Sequence, residues 1–296
     1  MRRLRFGALV RGAGSAREWA EKARRLEGAG FATLLISDHL AGARFAPMPA
    51  LVAAANATSR LRVGTLVLGN DFRNPVLLAK EAATVDLLSD GRLELGLGSG
   101  WQREDYEYSG VAQEPPGVRV DRLAEAIAVI KGVWSGRPFT YDGEHYRVRD
   151  AEVGPVPAQR PHPPLLIGGG GRRVLSLAAS EADIVNVMIK TRPDGSGMDD
   201  SDTGLRELLA KLDLVRPGGA EIAVNVLQAG GDAPGSWGPL SLAAHADTPQ
   251  VLLGGTRDMA DKIRHWRDER GVSYFILHNE NDLDAFIPVV EELAGR

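Results

Sequence analysis

The sequence predicts a parallel (β/α)8 barrel. Short apolar runs alternate with helical segments along nearly the whole chain. Cap and turn residues separate most of these segments. Polar and glycine residues fall just after the apolar runs, which is where such barrels bind ligands. The length of 296 residues suits one barrel spanning 1–296. A doubly wound open sheet is the rival reading, but it needs fewer strands and a switch point in strand order.

The elements follow in order. Residues 4–10 read as the first strand. Ser15 is placed to cap a helix in which Trp19, Ala20, Ala23 and Leu26 recur at helical spacing, ending at 28–30. Residues 33–36 make a short buried strand, 49–57 an Ala-rich helix and 61–68 a third strand. Asn74 and Pro75 serve as N-cap and first-turn proline of a helix carrying Val76, Leu77, Ala79, Ala82, Ala83 and Leu87. Strand 93–97 follows, then a helix marked by Leu123, Ile127, Ile130 and Trp134. The second half gives strands at 165–168, 184–188, 222–227 and 272–277. Its helices fall at 174–179, 205–214, after a Thr256 cap, and at 286–293. Three long insertions, 135–164, 191–204 and 229–250, interrupt the alternation. Loops of that length in a compact domain are usually functional. The first holds a predicted hairpin around Asp142-Gly143.

Composition narrows the function. Hydrophobic content of 44% and charged content of 25% are ordinary for a globular protein. Net charge is −4 and no basic stripe occurs, which argues against nucleic acid as a partner. There is no cysteine, so disulfides, thiol nucleophiles and cysteine-ligated metals are excluded. Histidines lack HExxH or comparable spacing, and no metal site is expected. No G-x-S-x-G elbow supports a hydrolase. The basic and apolar start is too short for a signal peptide, and Arg11-Gly12 breaks it. No run is long enough to span a bilayer. A cytoplasmic protein with a small-molecule substrate is the expectation.

Residues just after the predicted strands are the candidates for chemistry. They are Ser37-Asp38-His39, Gly69-Asn70-Asp71, Gly98-Ser99-Gly100-Trp101, and Gly168-Gly169-Gly170-Gly171 with Arg172 and Arg173. A glycine run leading into a helix lets backbone amides approach a phosphate, and the arginines add charge. The alternative is a tight turn that needs one glycine. Gly96-x-Gly98-x-Gly100 reads as close backbone approach to a flat ring, or as a flexible turn. His39 follows Asp38 at a strand end, which favours an oriented proton-transfer group over a structural histidine.

At these residues the chain resembles the luciferase-like monooxygenase superfamily. The resemblance is carried by Ser37-Asp38-His39, by 63–65 with Arg73-Asn74-Pro75, by 86–92, by 96–101 with Glu104, and by 164–169 with Ala182-Asp183. It covers most of the chain and looks most like F420-dependent members. It implies a barrel of the bacterial luciferase-like type binding the deazaflavin F420, or alternatively FMN. It places Asp38 and His39 beside the ring, with His39 a catalytic position in some members. It makes Leu66-Val67 a strand bulge, often with a non-prolyl cis peptide, pressing on one ring face. Ser99, Gly100 and Glu104 match positions near the ring and its side chain, and Gly170, Gly171 and Arg172 match a phosphate turn. Asn70 and Gly169 fall in the same two strand-end segments and join the cofactor set.

Two positions depart from the pattern. Ala43 stands where some F420-dependent dehydrogenases carry tryptophan, and Trp101 where they carry an acid/base glutamate. Sugar-phosphate or alcohol dehydrogenation is therefore disfavoured. The expected activity is F420H2-dependent reduction of an activated C=C or C=N bond. An FMN-dependent monooxygenase and a non-catalytic binding barrel are the alternatives. Substrate choice is assigned to the three insertions, and a homodimer is expected.

Overall fold

The structure is a computed structural model describing residues 2–42 and 44–296. Its strands are β1 (Arg5–Val10), β2 (Thr33–Ile36), β3 (Arg62–Thr65, resumed at Leu68–Gly69), β4 (Leu93–Gly98), β5 (Leu165–Gly169), β6 (Ile184–Val187), β7 (Glu221–Val226) and β8 (Val272–Leu277). Each pairs in parallel with its successor, and β8 pairs back onto β1. That closure is the predicted barrel and rules out the open sheet.

The helices are α1 (Ala16–Gly28), α2 (Pro47–Asn56), α3 (Pro75–Leu88), α4 (Arg103–Ser109), α5 (Pro116–Trp134), α6 (Arg172–Glu181), α7 (Leu205–Val215), α8 (Thr256–Arg270) and α9 (Leu283–Leu293). Ser15 caps α1 by accepting from Glu18 N, and Asn74 caps α3 by accepting from Val76 N. Other ends differ from expectation. α2 starts earlier, with Pro47 in its first turn. α8 is capped at Gly255, whose N–H donates to Asp258 at 3.0 Å, and not at Thr256. α4 is short and largely charged, and its pattern is too brief to be predicted.

Apolar side chains fill two layers. Leu9, Leu35, Leu66, Leu166 and Ile276 pack inside the barrel. A larger cluster lies between strands and helices and includes Phe6, Leu51, Ile130 and Phe286. The N-terminal floor of the barrel is ionic. Buried Glu94 accepts from Arg5 at 2.9 Å and from Arg62 at 2.7 Å, and Arg5 also lies 3.3 Å from Glu221. Burial works against ionisation of Glu94, yet the two arginines hold its carboxyl below the usual range. Burial pushes Glu221 up.

The 86–92 segment is also structural. Asp86 accepts from Gln159 N at 2.9 Å and Nε2 at 2.6 Å, and Arg92 donates to the carbonyls of Ala55, Leu61 and Ser89. The insertions have structure of their own. The hairpin forms between Phe139–Asp142 and Arg147–Ala151, with a turn longer than Asp142-Gly143. Glu125 of α5 sets that turn by accepting three successive amides, Glu144 to Tyr146. Insertion 191–204 folds back through a Thr191–Met198 bridge, and 229–250 holds a hairpin of Ser236–Trp237 with Leu240–Ser241. Among the described residues no helix is long and apolar enough to cross a membrane.

Candidate active site

The C-terminal ends of the strands open into a cavity of about 870 Å³. Its walls include Arg11 after β1, Trp101 and Glu107 around α4, and His278 after β8. The insertions 191–204 and 229–250 add Arg192 and Trp237 as a roof. Of the predicted strand-end segments, the one that ends in Trp101 lines this cavity; Asp38, His39, Asn70 and the glycine run are not among its lining residues.

His39 and Asp38 have different partners. Asp38 accepts from Gly69 N at 3.0 Å and pairs through both oxygens with Arg73, one contact at 2.7 Å. It therefore ties the end of β2 to the end of β3 and does not orient His39. That task falls to Asp105 of α4, which accepts from His39 Nδ1 at 2.6 Å and from Leu40 N at 2.8 Å. Burial pushes the Asp105 carboxyl up, but these hydrogen bonds more than offset it and hold the group below its ordinary value. An ionised Asp105 makes Nδ1 the protonated ring nitrogen and leaves Nε2 free. The imidazole meets Trp101 edge-on at 5.6 Å.

At the barrel axis the Leu66–Val67 peptide is cis, as the resemblance implied. Gly64 faces Glu94 and Leu68 faces Leu97, so β3 carries one residue more than β4 over this stretch, a bulge. Leu66 points into the barrel core, and Val67 is partly exposed above it. Carbons of Val67 lie 3.3, 2.6 and 3.0 Å from where side chains at Gly96, Gly98 and Gly168 would begin. Each glycine of Gly96-x-Gly98-x-Gly100 has a packing role within the chain. Gly96 makes room for the Thr65 carbonyl and Val67, Gly98 for Val67, and Gly100, at φ +75°, for the Tyr106 hydroxyl.

The same hydroxyl donates to Asp71 at 2.9 Å, and Arg122 pairs with Asp71 at 2.9 Å. Burial and then Asp71 push the Tyr106 phenol up to about 12. Arg119 donates to the Gly100 carbonyl. Ser99 and Gly100 are thus fixed from below and partly exposed above. Asn70 donates to the Tyr146 hydroxyl at 3.2 Å. Glu104 is exposed on the cavity wall and accepts from Tyr108 at 2.6 Å.

The glycine run has packing roles too. Gly168 clears Val67, Gly169 clears Val174, and a side chain on Gly170 would run into the Lys190 and Ile189 backbone. Only Gly171 has open space at its missing Cβ. Gly171 is the N-cap of α6 in ordinary extended conformation, and no side chain caps that helix. Arg173 pairs with Asp121 at 2.6 Å. With Arg172 it lines an outer groove between α5 and α6, not the mouth. What the turn offers an anion is therefore its uncapped amides, with Arg172 at the rim.

Sequence reading missed Asp105, Tyr106, Arg119, His278 and Trp237. It selected Glu104, one residue from the buried acid. Ala43 lies outside the described residues.

Residues 4–198 match the family model for luciferase-like monooxygenases. An F420-dependent glucose-6-phosphate dehydrogenase of Amycolatopsis mediterranei is 34% identical over 177 residues, 56% of this chain and 52% of that protein. An FMNH2-dependent dimethylsulfone monooxygenase of Pseudomonas putida is 33% identical over 127 residues, 43% of this chain and 35% of that one. The match thus spans about half or less of these relatives' length. The F420-dependent tetrahydromethanopterin reductase of Methanopyrus kandleri superposes with a TM-score of 0.77 at 16% identity, covering 99% of this chain and 98% of that one, which shows the shared fold. With the family model matching well over half of its residues, the chain belongs to the luciferase-like monooxygenase family.

Proposed function

We propose that the protein is an oxidoreductase whose reaction site is the barrel mouth, using F420 and reducing an activated C=C or C=N bond of a small molecule. The observation that carries this reading is the Val67 bulge. It sets a partly exposed apolar platform at the C-terminal end of the barrel interior. A platform of that kind suits one face of a flat heterocycle, and the uncapped α6 start beside Gly171 suits its phosphate.

Leu66 and Val67 would support the ring from below. Ser99, Gly100, Asn70 and Glu104 would lie at its edge or side chain. Gly169, Gly170, Gly171 and Arg172 would form the phosphate turn. Asp38 acts through Gly69 and Arg73, holding β2 against the bulge. When bound, reduced F420 supplies a hydride, whereas reduced FMN also supports oxygen transfer. With Asp105 holding Nδ1, His39 presents Nε2 to the site, and when the ring is protonated at both nitrogens Nε2 gives the proton that accompanies the hydride and is left unprotonated. The 191–204 and 229–250 insertions exclude water over the site.

The test is separate titration of the purified protein with F420 and with FMN, followed by fluorescence quenching. Saturable binding of F420 and not FMN supports the reductase. Binding of FMN alone moves the assignment to the monooxygenase reading. Binding of neither removes it.

A further inference from the structure

One corner of the mouth gathers two arginines around a single ionised carboxylate, Asp105. Strands β2, β1 and β8 are neighbours in the ring, so Arg11, His39 and His278 follow adjacent strand ends, and the Phe45 amide, next to Arg44, donates to the Arg11 carbonyl at 2.9 Å. Among the described residues Arg44 donates to two neutral acceptors, Ser37 Oγ at 2.9 Å and the Ala41 carbonyl at 3.3 Å. Arg11 lines the cavity, and its guanidinium makes no hydrogen bond or ion pair among the described residues. Two acids that border it are engaged, whereas Glu107, which lines the same cavity, makes no ion pair among the described residues. Asp105 holds His39, and Glu280 accepts from the Arg11 backbone at 2.6 Å and pairs with Lys22 at 2.5 Å. The other cavity arginines differ, since Arg103 pairs with Asp194 at 3.1 Å and Arg192 with Asp200 at 2.7 Å.

The crowding of charge leaves a mark. Burial and then Arg11 push the Arg44 guanidinium down, against the opposing pull of Asp105. Burial, followed by Arg44 and Arg11, pushes the His278 imidazole down to about 4, so it is neutral at physiological pH. Arg44 is partly buried and Arg11 is exposed, and a bound anion would offset the repulsion between them.

Topology separates this corner from the glycine turn. In the ring of eight strands β5 lies opposite β1, so the α6 start and Arg11 stand on opposite sides of the barrel's C-terminal end. An anion at Arg11 is then a different group from one at Gly171. The walls beside it, Trp101, Trp237, Met198 and Leu240, are apolar or aromatic, and Trp237 meets His278 edge-on at 5.0 Å.

We propose that Arg11 and Arg44 form an oxyanion subsite, and that the substrate is a small organic acid whose carboxylate binds there while its apolar body lies against Trp101 and Trp237. Calling this anion the substrate's rests on the reading of the mouth as the reaction site. The binding itself does not.

The probes are benzoate and its neutral isostere benzamide, titrated calorimetrically into the cofactor-free protein. Benzoate is expected to bind at least tenfold tighter than benzamide. Arg11→Gln should remove that preference, and Arg44→Gln should too if its fold persists by circular dichroism. Arg11 is the safer variant because its guanidinium supports no other group. In parallel, NMR titration should show benzoate raising the His278 pKa in the wild type and not in Arg11→Gln. Equal binding of benzoate and benzamide, or benzoate binding unchanged in a folded Arg11→Gln protein, overturns the subsite. A protein that binds F420 or FMN but not benzoate discards this inference and keeps the proposed function. One that binds benzoate through Arg11 but neither cofactor does the reverse.

Discussion

His39 is oriented by a carboxylate 66 positions further along the chain. The histidine was legible because it follows a strand at the ligand-binding end of a barrel. Its partner was not, since Glu104 and Asp105 look equivalent in a list of acids. Helix geometry separates them. A step of one residue turns about 100° around α4, which puts Glu104 in solvent and Asp105 against the β2 end. If His39 moves the proton, His39→Ala should lower turnover by ~10²–10⁴ with the fold intact. If it only positions the cofactor, affinity should fall and turnover should recover at saturation. Wild-type values for both would make it structural. Asp105→Asn should keep the Leu40 contact through its carbonyl but donate to Nδ1, moving the ring proton to Nε2. Its pH–rate profile should therefore shift, and an unchanged profile would remove Asp105 from the account.

Single elements explain why motif reading goes only part of the way. Glycine marks close approach, but the sequence does not say to what. Gly96, Gly98, Gly168, Gly169 and Gly170 all make room for this chain's own atoms, and Gly171 alone opens outward. The 86–92 segment, among the strongest carriers of the resemblance, proves to be a network that locks α3 to Gln159 and to neighbouring carbonyls. The insertions defeated prediction for another reason. Their hairpins depend on contacts from elsewhere in the chain, such as Glu125 on the Glu144–Tyr146 amides. The two glycines of the turn make a paired prediction. Gly170→Val should lower the melting temperature sharply, because its side chain meets the Lys190 backbone. Gly171→Val should leave it near wild type, because that position is open and extended. Equal losses would show that Gly171 is also a packing glycine.

The barrel as a whole was the most legible feature, since strand and helix periods alternate and each strand is short, apolar and followed by a break. Its ionic floor was not, because Arg5, Arg62, Glu94 and Glu221 are brought together only when the ring closes. Glu94, held below its ordinary value, adds stability above that value and loses it as pH falls through its folded value. Glu221 is raised, so its contribution is present in acid and is lost as pH rises through its folded value. Glu94→Gln leaves two half-buried arginines without their buried anion and should cost ~3 kcal/mol at pH 7. That difference should narrow in denaturant melts as pH falls below about 4, and a constant difference would contradict the charge argument.

We also infer a homodimer, formed by a second copy of this chain on α3. Leu77, Leu87 and Leu88 are exposed there, and a closed two-fold pair is the commonest assembly. Light scattering should give twice the 31.7 kDa of one chain, and Leu77→Glu with Leu88→Glu should return it to one. A wild-type monomer at working concentration would refute the pairing.

The central claim is that a flavin-type cofactor binds across the mouth with its phosphate on the Gly171 turn. The most direct measurement is the F420 dissociation constant of the wild type and of Gly171→Val, with FMN titrated in parallel. The account predicts saturable binding to the wild type and a loss of at least tenfold, about 1.4 kcal/mol, in a variant that melts normally. Equal affinity in the two proteins, or no binding of either cofactor to the wild type, would contradict it.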